Sequence, residues 1–153
     1  MLSIVCLSTC KLSKKEKLEI LKLKDLHWQH GIASQLSHYS KNFKKDDLNN
    51  LFFYKKKLIG YTGLRKKKVI KNKKKIHYLL FDTLIIHELY RGRQFSKVLM
   101  EFNNAVIRQH KICSYLICKT EFSKFYKKFG WKNYKKKNIL DYNHKNQSVM
   151  FYK

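Results

Sequence analysis

A basic loop in the middle of the chain separates two apolar segments of different periodicity. Tyr78–Ile86 is a mostly apolar run, typical of a buried strand, whereas the apolar residues from Phe95 onward recur at helical spacing. The loop between them carries Arg91, Gly92 and Arg93. A helix that begins after such a loop presents free backbone N–H groups and the positive end of its dipole. This junction predicts an anion-binding site, unless the arginines are only surface charges on a turn.

A second segment with candidate chemistry follows about thirty residues further on. Its aromatic residues have the i, i+3, i+4, i+7 spacing of one helix face, and they are Phe122, Phe125, Tyr126 and Phe129. Gly130 is a typical helix C-cap. The Tyr126 hydroxyl is a candidate proton donor, although the spacing also fits a core residue.

The two segments resemble the two central motifs of the GNAT superfamily of N-acetyltransferases. The family's loop signature is Gln/Arg-x-x-Gly-x-Gly/Ala, and the matching positions here are Arg91, Gln94 and Ser96. The first position agrees, whereas Gln94 and Ser96 replace the two small residues. The segment Phe125–Trp131 matches the family's Phe-Tyr-x-x-x-Gly-Phe/Trp pattern.

The resemblance implies acetyl-CoA as co-substrate and no metal. Its pyrophosphate would lie at the loop and helix start, and its pantetheine arm would lie along the end of the preceding strand. The implied binding residues are Leu84, Ile85, Ile86, Arg91, Gly92, Arg93, Gln94, Phe95, Ser96 and Lys97. The resemblance also implies that Tyr126 protonates the departing thiolate.

Transfer of an acyl group to an amine needs a neutral amine, and Asp82 is the first candidate base. A carboxylate within an apolar strand must be paired or serve a purpose. Asp82 is therefore either a base, acting directly or through water, or a structural acceptor of a hydrogen bond from a tyrosine or lysine. Glu88, Glu121 and His87 are weaker candidates that also fit surface positions. Cys118 is either a nucleophile in a two-step route or a small core residue.

The formal charge of +25 on 153 residues raises the alternative of a nucleic-acid-binding protein. Lysine supplies nearly all of this charge, because the chain has only four arginines, Arg65, Arg91, Arg93 and Arg108. Proteins that clamp phosphates favour the bidentate fork of arginine. A solvated lysine surface is the favoured interpretation, and it should attract anionic ligands and repel polycations.

The four cysteines, Cys6, Cys10, Cys113 and Cys118, do not have the spacing of a zinc site. Reduced thiols and a cytoplasmic location are the expectation. No segment reaches the ~20 apolar residues that would span a membrane, so we expect no membrane association.

The order of elements predicts an α/β (α+β) fold, with a mixed central sheet of about six to seven strands and helices on both faces. Residues 1–17 are expected to be a weakly patterned leader, followed by one GNAT-like domain over 18–153. The expected strands are 18–26, 51–54, 58–64, 76–86, 114–118, 131–134 and 148–152. The expected helices are 28–43, 95–110 and 122–129, with a short helical turn at Asp46-Asp47 and a polar loop at 135–147.

The resemblance, together with the order of elements, implies an N-acetyltransferase that moves an acetyl group from acetyl-CoA to a primary amine, and we expect a small polar acceptor such as an amino sugar. The alternative is a basic nucleic-acid- or ribosome-associated protein with a GNAT-like fold and no catalysis. The acceptor is expected along residues 27–57, where the polar and aromatic candidates are His27, Trp28, His30, Gln35, His38 and Tyr39. The basic surface favours an anionic amine, such as a nucleotide-linked amino sugar, over an aminoglycoside. The sequence also leaves open whether the protein forms a homodimer.

Overall fold

The computed structural model describes residues 1–135 and 145–153. The strands are β1 (Leu2–Ser8), β2 (Leu48–Tyr54), β3 (Lys57–Lys71), β4 (Lys74–Ile86), β5 (Ser114–Lys119), β6 (Lys132–Asn133) and β7 (Gln147–Tyr152). The helices are α1 (Lys14–His27), α2 (Ile32–Asn42), α3 (Phe95–His110) and α4 (Ser123–Lys127). The strands form one mixed sheet of seven, in the order β1-β2-β3-β4-β5-β7-β6, which confirms the predicted architecture.

The beginning of the chain differs from the sequence-based prediction. The expected leader contains β1, which pairs with β2 along its whole length and forms an edge of the sheet. The expected strand at 18–26 lies in α1 instead. A capping box starts this helix: the Ser13 hydroxyl accepts from the Glu16 N–H at 3.1 Å, and the Glu16 carboxylate accepts from the Ser13 N–H at 2.8 Å.

The next helix also begins later than predicted. α2 starts at Ile32, after Gly31 in a left-handed conformation with φ of 84°. The expected helical turn near Asp46 and Asp47 is not helical. Asp47 instead accepts the N–H groups of Lys44 and Lys66, each at 2.7 Å, and so joins the turn to β3.

The three-strand meander β2-β3-β4 agrees with the prediction. Its two-residue turns, Lys55-Lys56 and Asn72-Lys73, have positive φ at both positions, the conformation that suits the twist of a tight hairpin. The β3–β4 register shifts once, since Gly63 pairs with Thr83 and Leu64 pairs with Phe81. Asp82 is therefore an extra residue on β4, a β-bulge.

β4 and β5 are parallel, as the helical crossover between them predicted, but they pair over only two positions. The partners are Leu79 with Ser114 and Leu80 with Tyr115. Beyond these residues β5 continues its pairing with β7 on the other side. The two strands therefore part, and an open wedge lies beside the second half of β4.

The core lies on both faces of the sheet. On one face Ile20, Leu21 and Tyr39 of α1 and α2 pack with Leu51 and Tyr61 of the sheet. On the other face, residues of α3 and α4 pack against β4, β5 and β7; they include Met100, Ile107 and Tyr126.

β5, β7 and α3 lie where they were predicted, and α4 and β6 are shorter than predicted. Most of the expected 135–147 loop lies outside the described residues. Within the described ranges, no helix is both long enough and apolar enough to cross a bilayer.

Candidate active site

The wedge between β4 and β5 is bordered by the start of α3 and by α4. After β4 the chain makes a single 3-10 turn, Glu88–Tyr90, and then the basic loop, before α3 begins at Phe95. Among the residues that the structure describes, no backbone N–H group from Gly92 to Ser96 donates to a protein acceptor. The helix start thus offers several free donors at the positive end of its dipole, which is a binding geometry for an anion.

The loop keeps left-handed backbone at the positions where it turns. Gly92 has φ of 76°, and Gln94, the N-cap of α3, has φ of 59°. This conformation is energetically unfavourable for a residue with a β-carbon, whereas glycine adopts it freely. Gln94 therefore adopts this conformation at a cost in backbone strain.

The two arginines of the loop have different surroundings. Arg91 donates from Nε to the carbonyl of Ile86 at 3.1 Å, and its Nη2 lies 3.2 Å from Nδ1 of His27. The guanidinium of Arg91 thus ties the loop to the end of β4 and to α1. Arg93 is exposed and lies 5.9 Å from the ring centre of Tyr90, a cation–π distance.

The remaining predicted cofactor residues lie along β4 and α3. The side chains of Ile85 and Ile86 are buried in the core, and Leu84 is half-buried. These residues can therefore offer main-chain groups rather than side chains at the edge of β4 that faces the wedge. Lys97 is exposed in the first turn of α3.

A cleft of about 340 Å³ opens on the α1–α2 side of β4. It is lined by Lys24, Trp28, His30, Ser34, Gln35, His38, Asp82 and Thr83. Four of the six acceptor-side residues expected from the sequence are in this set. The other two are not: His27 contacts Arg91, and the buried Tyr39 donates its hydroxyl proton to Asn49 Oδ1 at 2.9 Å.

Asp82 reaches the cleft from the β4 bulge. Its Oδ1 lies 3.6 Å from a guanidinium nitrogen of Arg65, and both side chains are largely buried. Arg65 is held in turn by the backbone carbonyl and the side-chain oxygen of Asn42, at 3.1 and 3.3 Å. Oδ2 of Asp82 is buried and has no hydrogen-bond partner. The carboxylate therefore has one oxygen paired with Arg65 and one enclosed oxygen without a hydrogen-bond partner.

Lys24 is a site residue that sequence reasoning missed. It lines the cleft, yet only 4% of the residue is exposed. Burial lowers the pKa of the Lys24 ammonium, the Asp82 charge partly opposes this, and Arg65 adds to the lowering. The sequence feature that could have identified Lys24 is its position next to Leu23 on the apolar face of a helix. Because 18–26 was predicted as a strand, this helical face was not recognised.

Tyr126 lies on α4 with its ring edge-on to Phe81, at 6.1 Å between centroids. Phe81 follows immediately after Leu80, the last residue of β4 that pairs with β5, so Tyr126 lies at the opening of the wedge. Burial, and secondarily the neighbouring Cys118, raises the pKa of the Tyr126 hydroxyl to about 12. The phenol therefore stays protonated at neutral pH.

The other candidate groups are less suited to chemistry. Burial raises the pKa of the Cys118 thiol, which packs 4.0 Å from the Met150 sulfur, so the core interpretation fits better than a nucleophile. Glu88 is exposed, and Glu121 lies with Lys119 and Lys145 in a separate surface depression. Burial lowers the pKa of His87, whose Nδ1 accepts the N–H of Leu89 at 3.3 Å. The described residues contain no cluster of three or more potential metal ligands.

No family model matches the sequence, and no curated protein matches it. The structure, in contrast, is similar to many solved structures over nearly its whole length. Escherichia coli ElaA has a TM-score of 0.77 at 16% identity, with 100% of both chains covered. An aminoglycoside 6'-N-acetyltransferase complexed with coenzyme A has a TM-score of 0.72 at 13% identity, covering 97% of this chain and 96% of the other.

A GNAT-family acetyltransferase from Staphylococcus aureus has a TM-score of 0.65 at 15% identity, covering 97% of this chain and 98% of the other. The chain therefore has the GNAT fold, which confirms the resemblance drawn from the two motifs.

Proposed function

We propose that this protein is an N-acetyltransferase that uses acetyl-CoA to acetylate a primary amine. The observation that carries the proposal is the arrangement around the second half of β4. A helix start with free N–H donors borders the wedge. A cleft lined by the Asp82 carboxylate, one oxygen of which has no hydrogen-bond partner, lies beside the same strand. An anionic co-substrate and an amine can thus meet at one strand.

The residues present fit acetyl-CoA. The N–H groups from Gly92 to Ser96, with Arg93 and Lys97 nearby, would hold its pyrophosphate. A β-carbon built on Gly92 meets no atom within 4 Å, so the loop is open to an approaching ligand. The unpaired edge of β4 at Leu84–Ile86 would hydrogen-bond the pantetheine arm. When bound, acetyl-CoA supplies an acetyl group that is activated as a thioester.

Asp82 and Tyr126 divide the proton chemistry. The Asp82 carboxylate would take a proton from the acceptor amine, directly or through one water, while Arg65 lies 3.6 Å from Oδ1. Tyr126 would give a proton to the departing thiolate, because its pKa of about 12 keeps the proton on the phenol until it is needed. Direct attack by the amine requires no protein nucleophile, in agreement with the raised pKa of the half-buried Cys118 thiol.

The cleft fits a small polar acceptor such as an amino sugar. Ser34, Gln35, His30 and His38 can donate or accept hydrogen bonds, and Trp28 offers an aromatic face. One structural neighbour is an aminoglycoside 6'-N-acetyltransferase, which supports an amine of sugar type. The charge of +25 argues against a polycationic aminoglycoside here.

A second candidate function, binding of nucleic acid without catalysis, is supported by the distal part of the β3–β4 hairpin. Among the described residues, 65–71 of β3 pair with no strand other than β4, and 74–78 of β4 pair with no strand other than β3. This two-stranded ribbon carries Lys66, Lys67, Lys68, Lys71, Lys73, Lys74 and Lys75. A basic ribbon of this kind can track phosphates.

Isothermal titration with acetyl-CoA, free CoA and adenosine bisphosphate tests the proposal. Saturable micromolar binding of acetyl-CoA and CoA would support the transferase, and an amine screen would follow. No binding at millimolar acetyl-CoA would refute it. RNA binding whose affinity falls steeply with salt, in the same protein, would then favour the basic ribbon as the functional surface.

A further inference from the structure

A basic and an acidic side chain that line the cleft, Lys24 and Asp82, do not form an ion pair with each other. Among the described residues, no carboxylate lies within 4.0 Å of the Lys24 ammonium, and the only ion pair of Asp82 is with Arg65. Oδ2 of Asp82 is buried without a partner. Lys24 and Asp82 thus both line the cleft, and the Lys24 ammonium has no carboxylate partner among the described residues.

The balance of charge around this space is positive. The charged groups that act on Lys24 are Asp82 and Arg65, so two cations accompany one carboxylate. Arg65 already takes up the Asp82 charge. A buried cation without a partner is costly, and an anion that enters the cleft relieves that cost while it forms a charge-assisted hydrogen bond.

Lys24 is held in a way that suits a ligand contact. It lies on α1 between Leu23 and the cleft, and 96% of the residue is removed from solvent, as its 4% exposure shows. Most lysines of this chain are exposed, as on the β3–β4 ribbon. A lysine whose only role is solubility has no reason to occupy a buried wall.

We propose that the acceptor is an amine that also carries an anionic group, a carboxylate or a phosphate, and that Lys24 binds this group while the amine docks at Asp82. This inference rests on the proposed acetyltransferase function and specifies its substrate class. Lys24 is a specificity-determining residue in this scheme and takes no part in the proton transfers. The amine and the anion of one small molecule are recognised by different side chains of the cleft.

Matched pairs of amines, each with and without the anion, test the proposal by steady-state acetylation with acetyl-CoA. Histidine and histamine differ by a carboxylate, whereas glucosamine 6-phosphate and glucosamine differ by a phosphate. Lys24→Met removes the charge and keeps an unbranched side chain of similar length. Lys22→Met, an exposed neighbour on the same helix, is the matched control.

The wild-type protein is expected to prefer the anionic member of at least one pair in kcat/KM, by roughly tenfold to a hundredfold for one charge-assisted hydrogen bond. The pair that shows the preference tells carboxylate from phosphate. Lys24→Met should abolish the preference by raising KM for the anionic member much more than KM for the uncharged member. Lys22→Met should keep the wild-type preference.

Equal or better turnover of the uncharged amines by the wild type would overturn the inference and leave the acetyltransferase function standing. An equal loss on both members of a pair in Lys24→Met would also overturn it, because that result indicates a structural role. If acetyl-CoA neither binds nor turns over with any amine, the proposed function fails and the inference fails with it.

Discussion

Replacement of Gln94 by glycine should stabilise the protein. Gln94 has φ of 59° and ψ of 15° at the N-cap of α3, and its side chain makes no capping hydrogen bond. A left-handed conformation costs a residue with a β-carbon roughly 1–2 kcal/mol. Glycine offsets about 0.5–1 kcal/mol of this gain, because it loses more conformational freedom on folding than glutamine does.

The net gain from Gln94→Gly is therefore about 0.5–1 kcal/mol. For a chain of this length, about 1 kcal/mol moves Tm by roughly 2–4 °C, so we expect a rise of about 1–4 °C. Thermal unfolding followed by circular dichroism, without ligand, measures it. The variant should also bind acetyl-CoA at least as tightly as the wild type, because the substitution restores the small residue of the family signature.

Two control variants test the backbone reasoning in the opposite direction. Gly92→Ala places a β-carbon at φ of 76° where no atom lies within 4 Å, so its effect is backbone strain alone, and Tm should fall. Ser96→Gly puts glycine inside the first turn of α3, where it should also lower Tm. A fall in Tm for Gln94→Gly, or no change for Gly92→Ala, would refute the left-handed loop as the source of strain.

Four further predictions concern the site and α1. Asp82→Asn should lower kcat about 10²- to 10⁴-fold, and Tyr126→Phe should lower kcat more than it raises KM for acetyl-CoA; full turnover in either variant would remove that residue from the mechanism. Lys24→Met should raise the free energy of unfolding at neutral pH, which denaturant unfolding measures. The folded-state pKa of Lys24 is lowered, so its charge opposes folding below that pKa, and the gain should vanish as pH rises to about 10.5; a gain that persists at higher pH would contradict this. Ser13→Ala should cost about 0.5–2 kcal/mol by removing the capping box, and an unchanged midpoint would show that α1 does not depend on it.

Much of the fold was readable from local patterns. The positive-φ turns of the β2-β3-β4 meander, the long apolar strand β4 and the amphipathic α3 each depend on residues close together in the chain. The first strand and helix were misread for a physical reason. β1 is an edge strand with no fully buried residue, so its sequence has little hydrophobic pattern. The leucine-rich run after it resembled a strand, although Ser13 and Glu16 form a capping box that begins a helix there.

The sequence by itself determined the order of elements from β2 onward, the basic loop before α3 and the two candidate residues Asp82 and Tyr126. The tertiary structure decided what those residues can do. Only the bulge in β4 sets Asp82 apart from its strand partners, and only packing of α1 against the sheet brings Lys24 beside it. Lys24, Arg65 and Asp82 are distant in the chain, and their charges meet because long-range strand pairing and burial, rather than local propensity, fix where each side chain lies.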